Sequence, residues 1–202
     1  MPLARPSGMN DLTLRRGGRV ALTLALFAYG VSYARDPGAG RLLDGVDLAI
    51  HESGHLVFGA FGEFVQFAGG TIMQLLMPLA FVGYFLRRRD RHAATVALWW
   101  VAQNLWHISV YIADARAQEL PLVGGGEHDW AYMLGELGWM ARDTAIARGV
   151  HHVGVVLLIL STVAGVLFAL QSGGDEEPAG AEGESFYDAP RPSAARGGRE
   201  AA

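Results

Sequence analysis

Long apolar segments dominate this sequence and limit the folds that it can adopt. The clearest is VHHVGVVLLILSTVAGVLFAL, residues 150–170, which contains no Asp, Glu or Arg. A hydrocarbon core about 30 Å thick is crossed by about 20 apolar helical residues, so this segment is long enough to span a bilayer. About half of all residues are apolar (51%), which is high for a soluble domain. We therefore expect an all-α, polytopic membrane helix bundle.

Earlier apolar segments are further candidates for membrane helices. They are residues 20–34, 43–61, 64–86, which Gly69-Gly70 and Pro78 are expected to break, and 93–115. A stretch at 131–141 is too short to span and predicts an interfacial or re-entrant helix. The sequence thus predicts about five spanning segments plus this short helix. Arginines before residue 20 and at 87–91 both favour the cytoplasmic side, although three full spans would separate them, so orientation stays open.

Composition divides the chain into three parts. We expect a polar N-terminal segment at 1–19, a membrane-embedded domain at 20–170 and a disordered tail at 171–202, which is rich in Gly, Ala, Pro, Glu and Ser. No cysteine is present, so any metal must be bound by His, Asp, Glu, Asn or water.

The basic residues bear on location and partners. All 16 are Arg, which we interpret as the coding bias of a GC-rich genome and not as a functional signal. They form no basic stripe or recognition motif, so we expect no nucleic-acid partner. The expected location is the bacterial cytoplasmic membrane, with the lipid bilayer as the main partner.

The stretch DLAIHESGHLVFGAF, residues 47–61, places ionisable groups inside an apolar segment. His51 and His55 are four residues apart, so on a helix their imidazoles share one face and can bind one Zn²⁺. Glu52 follows the first of them and is then suited to act as general base on zinc-activated water. Ionisable groups at membrane depth cost about 2.5–3.5 kcal/mol each, which favours this function over two merely hydrogen-bonded histidines.

A catalytic zinc needs a third protein ligand, and the fourth apolar segment offers candidates. Asn104, His107, Tyr111 and Asp114 fall within about a quarter of a helix circumference. Asp114 and His107 are the candidate ligands, whereas Asn104 and Tyr111 are candidates for contact with substrate or with the ligands. The alternative is a hydrogen-bonded packing stripe.

Other polar residues are open candidates for the same site. His128 and Asp129 follow the glycines of GGGEHDW, from which they could fold back over the site or form a solvated loop. His151 and His152 begin the last segment, where either could be a ligand or an interfacial residue. Asp47 lies one turn before the first histidine of the motif, so we expect it to hydrogen-bond that imidazole.

These motifs resemble the site-2 protease-like membrane zinc metallopeptidases. The resemblance covers residues 43–115 and rests on HESGH, on the Gly-rich FAGGTIMQLLMPLAF and on NLWHISVYIADA. It implies that His51 and His55 bind zinc with Asp114 as third ligand, and that Glu52 is the catalytic base. It also implies that the substrate is a peptide bond in or near the bilayer, in a membrane protein or peptide.

The sequence thus predicts a membrane-embedded zinc endopeptidase, and two alternatives stay open. One is a non-catalytic membrane protein with a metal site. The other is a membrane di-iron hydroxylase or desaturase, whose histidine boxes HESGH and VHHV match formally. Such di-iron sites need about eight imidazoles, and the chain has seven histidines.

Overall fold

The computed structural model describes residues 7–122 and 126–171, with side chains from residue 11 onward. Over these residues every regular element is a helix and there is no strand, so the predicted all-α class is confirmed. The helices are α1 (Ser7–Arg35), α2 (Leu42–Phe58), α3 (Glu63–Arg87), α4 (Arg91–Ala113), α5 (Asp129–Glu136) and α6 (Asp143–Gln171). Short 3₁₀ turns at Gly59–Phe61 and Met140–Arg142 follow α2 and precede α6.

Helix α4 is the central element of the fold. It packs against α1, α3 and α6, while α2 packs mainly on α3. Tyr33 of α1, Trp106 of α4 and Leu158 of α6 meet in a buried cluster that joins these three helices. The pair α2–α3 packs on this group of helices through α3, which places the HESGH motif on α2 against α3 and beside α4.

The contact between α2 and α3 depends on glycine. The expectation that Gly69-Gly70 and Pro78 break the third segment is wrong, because α3 is continuous from Glu63 to Arg87. A Cβ atom on Gly69 would lie 2.7 Å from Cβ of Phe58, and one on Gly54 would lie 2.6 Å from the carbonyl carbon of Gly69. The glycines thus allow the two helix backbones to approach closely.

Two of the described helical segments are long and apolar enough to cross a membrane, judged by length and composition. They are Glu63–Arg87 and Met140–Gln171. The expectation of about five spanning segments is therefore wrong. Helix α2 has only 17 residues, three of them acidic, and α4 carries buried Gln103 and Asn104 at its centre, which lowers its hydropathy.

The N-terminal segment and the short helix expected before the last span both form part of described helices. Helix α1 runs without interruption from Ser7, so most of the polar segment 1–19 shares one helix with the first apolar run. The short helix expected at 131–141 corresponds to α5, which is followed by the turn Met140–Arg142. Gln171, the first residue of the predicted disordered tail, is the last residue of α6, and the rest of that tail lies outside the described residues.

Candidate metal centre

His51, His55 and Asp129 form a compact group of potential metal ligands. Their nearest ligand atoms all lie within 4.8 Å of one another. Nε2 of His51 lies 2.8 Å from Oδ2 of Asp129, and Nε2 of His55 lies 3.3 Å from the same oxygen. Two imidazole nitrogens and a carboxylate oxygen therefore converge on one point, and this donor set suits a catalytic zinc with an open fourth position.

The local structure explains how each ligand reaches this point. One turn of α2 puts the two imidazoles on the same face, with ring centroids 4.9 Å apart. Asp129 is the first residue of α5, and its backbone N–H donates to the hydroxyl of Tyr111 at 3.2 Å. Phe67 of α3 stacks on Tyr132 of α5 at 4.1 Å between centroids, which docks α5 over the motif.

Hydrogen bonds on the far side of each imidazole orient the rings. Nδ1 of His51 lies 3.2 Å from Oε1 of Gln74, and Nδ1 of His55 lies 2.8 Å from the carbonyl oxygen of Gln66. With a metal ion bound, each Nδ1–H would donate to its oxygen partner, which leaves each Nε2 free to bind the ion. Gln74 in turn donates from Nε2 to Nδ1 of His107 at 2.9 Å. The buried Gln74 thus connects His107 to the metal group.

The electrostatics of the group favour exchange of a proton for a metal ion. Hydrogen bonding to Asp129 raises the pKa of His55 to about 9. Burial alone would raise the pKa of Asp129, but the hydrogen bonds from His51 and His55 hold it below its usual range. Without an ion, a protonated imidazole thus balances the buried carboxylate, and a cation bound here would replace that proton.

Two cavities meet at this group, and Glu52 lines both of them. The first, of about 360 Å³, borders His51, His55 and Asp129. The second, of about 330 Å³, lies on the other side of His51. Tyr111 also lines both cavities. The residue expected to act as base therefore stands beside the metal group, with space for a ligand on two sides.

The carboxylate in the group is Asp129 and not Asp114, the residue expected from the sequence. Asp114 is the C-cap residue that follows α4, and its side-chain oxygens accept hydrogen bonds from the backbone N–H groups of Glu119 at 3.0 Å and Leu120 at 3.1 Å. One oxygen also lies 3.3 Å from Nε2 of His128. Asp114 thus contacts the chain that follows α4, and it is not among the three ligand residues that the structure groups together.

The two alternative ligands support the group indirectly. His107 accepts a hydrogen bond from Gln74, and Gln74 is in turn hydrogen-bonded to His51. His128 is the N-cap of α5, with Nδ1 accepting from the backbone N–H of Ala131 at 3.3 Å. Its ring lies 4.2 Å from that of Tyr111, between centroids. Both histidines position residues that line the site and neither joins the three converging ligands.

Asp47 and Asn104 are located away from the expected contacts. Asp47 accepts hydrogen bonds from Nε1 of Trp100 at 3.0 Å and from Nε2 of Gln103 at 2.7 Å. Nδ1 of His51 is therefore paired with Oε1 of Gln74 and not with Asp47, the expected acceptor. Asn104 donates to the carbonyl oxygen of Trp100 at 3.0 Å and packs within α4. Asp47 therefore joins α2 to α4, whereas the hydrogen bond of Asn104 lies within α4.

The other histidines lie elsewhere in the bundle. Nε2 of His92 lies 3.1 Å from Oγ1 of Thr23 and 3.2 Å from the carbonyl oxygen of Arg19. His151 lies beside Trp106, whose indole N–H donates to its carbonyl oxygen at 3.2 Å. The histidines are therefore spread over several sites, whereas a di-iron centre gathers most of its imidazoles around one cluster.

Comparisons with family models, with characterised proteins and with solved structures give no significant match for this chain. The class of protein is therefore described from its fold and its site alone. In the part of the chain that the structure describes, all regular elements are helices, two apolar helices are able to cross a membrane by length and composition, and a buried His-His-Asp group could hold a metal ion.

Proposed function

We propose that this protein is a membrane-embedded, zinc-dependent endopeptidase. In this proposal His51, His55 and Asp129 bind the zinc ion and Glu52 is the general base. The observation that carries it is the convergence of two imidazole Nε2 atoms and a carboxylate oxygen beside a cavity that Glu52 lines. That is the arrangement a helical HExxH motif needs for metal-assisted hydrolysis of a peptide bond.

The residues around the metal group have distinct roles in this reaction. Zinc bound here supplies a Lewis acid that acidifies water and polarises the substrate carbonyl. Glu52 removes a proton from the attacking water as the new C–O bond forms. It then delivers that proton to the amine nitrogen as the C–N bond breaks, so that one carboxylate serves both steps.

Tyr111 is suited to stabilise charge that develops on the substrate carbonyl. Its hydroxyl oxygen accepts the backbone N–H of Asp129, which leaves the hydroxyl proton to be donated into the cavities that it lines. Burial raises the pKa of Tyr111, so the phenol stays protonated at neutral pH. A preoriented donor in a partly buried site contributes more than the same donor in water.

The membrane location is supported by apolar surface that the bundle leaves uncovered. Helix α6 exposes large aliphatic residues along its length: Val153, Val156, Ile159, Leu160, Val163, Leu167 and Leu170. Helix α3 exposes a second set: Phe64, Ile72, Leu76, Met77, Leu79, Phe81, Tyr84 and Leu86. Surfaces of this kind are unusual on monomeric soluble proteins and are suited to contact with lipid.

Substitution of the base tests the proposal while leaving the metal site intact. Detergent-purified wild type, Glu52→Gln and His51→Ala are compared for zinc content and for hydrolysis of a quenched-fluorescence peptide library. We expect Glu52→Gln to keep its zinc and lose activity by about 10²–10⁴-fold, because proton transfer is removed. We expect His51→Ala to lose both zinc and activity. Equal activity of Glu52→Gln and wild type contradicts the proposal, and zinc without any hydrolysis indicates a non-catalytic metal site.

A further inference from the structure

We propose that the two cavities beside Glu52 select the substrate by the residues on opposite sides of its scissile bond. One cavity accepts a bulky apolar side chain. The other accepts a neutral or cationic side chain and rejects an acidic one. This inference rests on the endopeptidase function proposed above and adds the class of peptide that the site cleaves.

The arrangement of the cavities places the reaction between them. We name the cavity of about 330 Å³ the apolar cavity and that of about 360 Å³ the acidic cavity. Both are lined by His51, Glu52, Tyr111 and Leu122, so these four residues form a common wall. A peptide whose scissile bond lies at this wall extends one side chain into each cavity.

Aliphatic side chains give the apolar cavity its character. The residues that contribute them are Leu48, Ile108, Val110, Leu120, Pro121 and Leu122. The polar side chains of this cavity that lie outside the common wall already have partners: Asp44 accepts from the hydroxyl of Tyr33 at 3.0 Å, and Gln74 bonds both His107 and His51. A polar substrate side chain would gain little there, whereas an apolar one would be removed from water.

Carboxylates give the acidic cavity its character. Besides Glu52 and Asp129, it is lined by Glu63 at the start of α3 and by Glu127 just before α5. No Arg is among its described lining residues. A bound divalent cation is balanced by Asp129 and Glu52, so Glu63 and Glu127 leave the cavity with net negative charge. Such a charge attracts an ammonium or guanidinium group and repels a carboxylate.

Gly45 offers a way to fill the apolar cavity without disturbing the ligands. It lines this cavity from α2, and a Cβ atom there would meet no heavy atom within 4 Å. Gly83 on α3 is the matched control, because it has the same open space and lines neither cavity. For the acidic cavity, the control for Glu63 and Glu127 is Glu136, an acidic residue on α5 outside both linings.

The experiment measures kcat/KM for quenched peptides that share one central bond and differ in one residue on either side of it. Each pair, Leu against Ala and Arg against Glu, is tested in both positions, so the direction of binding need not be known. We expect wild type to prefer Leu over Ala and Arg over Glu by at least about tenfold each. Gly45→Phe should reduce the preference for Leu over Ala. The double variant Glu63→Gln/Glu127→Gln should reduce the preference for Arg over Glu. The control variants Gly83→Phe and Glu136→Gln should keep both preferences.

Each outcome separates this inference from the function beneath it. Hydrolysis of all peptides at similar rates, or preferences unchanged in the cavity variants, overturns the inference and leaves the endopeptidase standing. No hydrolysis of any peptide by zinc-loaded wild type overturns both. Reduced preferences in the variants with unaltered zinc content support the assignment of the two cavities.

Discussion

Gly70 lies directly against the imidazole of His51, so the ring fills the space that a side chain would occupy at that position. A Cβ atom on Gly70 would come within 2.6 Å of both Cδ2 and Cε1 of the ring. Real Cβ atoms essentially never approach this closely, so even one methyl group must displace the imidazole or separate α2 from α3. Helix α3 therefore leaves room for the imidazole of His51 because it has a glycine at position 70.

Replacement of Gly70 by Ala should weaken zinc binding by at least about tenfold, because the imidazole of His51 moves away from His55 and Asp129. Isothermal titration with zinc measures the change. Gly83→Ala on the same helix is the control, since a Cβ there meets nothing within 4 Å. Wild-type affinity in Gly70→Ala would show that the observed contact does not hold His51 in place.

The identity of the third ligand is tested by a pair of matched variants. Asp129→Asn removes the carboxylate that faces both Nε2 atoms, and we expect a loss of zinc affinity of about 100-fold or more. Asp114→Asn should keep its zinc, because that carboxylate contacts backbone N–H groups and His128. The reverse result, zinc lost in Asp114→Asn and kept in Asp129→Asn, would restore the ligand expected from the sequence.

Gln74 should tune zinc affinity without contacting the ion. Gln74→Met removes the acceptor that orients His51, and an effect of about 10–100-fold on zinc affinity is typical of such partners. Gln103→Met is a second buried glutamine substitution, and it removes a donor to Asp47. It should lower stability by about 1–3 kcal/mol and leave zinc affinity unchanged. Equal zinc affinities in the two variants would argue against an orienting role for Gln74.

Zinc affinity should depend on pH over an unusually alkaline range. The pKa of His55 in the ion-free protein is about 9, raised by its hydrogen bond to Asp129, and zinc binds only the neutral imidazole. Below pH 9 each bound ion must therefore displace a proton, so affinity should fall about tenfold per pH unit from 9 to 7. Competition with a chromophoric chelator at pH 7, 8 and 9 measures this slope. A flat profile over that interval would mean that His55 is already neutral at pH 7.

The sequence predicted the positions of site residues correctly relative to one another where these residues lie close together on one helix. His51, Glu52 and His55 lie within one turn, so their mutual arrangement follows from α-helix geometry. Asp129 was visible as one of several polar candidates, but its approach depends on the path of the chain between α4 and α5, which no periodicity encodes. Asp114 shared the stripe of α4, yet its place at the helix end directs its carboxylate to backbone N–H groups.

Glycine and apolar composition each fit two different structures, so neither could be interpreted from the sequence alone. A Gly-Gly pair weakens a helix but also permits close backbone approach, and the packing of α2 on α3 selects the second use here. Apolar composition likewise suits lipid contact and burial equally well. Many residues of helix α4 are buried by its neighbours, and α4 is not among the described helices that are apolar enough to cross a membrane by composition.

The coordination of zinc in the purified protein tests the central claim most directly. X-ray absorption at the zinc edge, combined with metal analysis, should give one zinc per chain. It should show two imidazole nitrogens at about 2.0–2.1 Å and a carboxylate oxygen at about 2.0–2.2 Å, with one imidazole lost in His55→Ala. A protein that binds no stoichiometric zinc, or whose zinc coordination is unchanged in both His51→Ala and His55→Ala, would contradict the account.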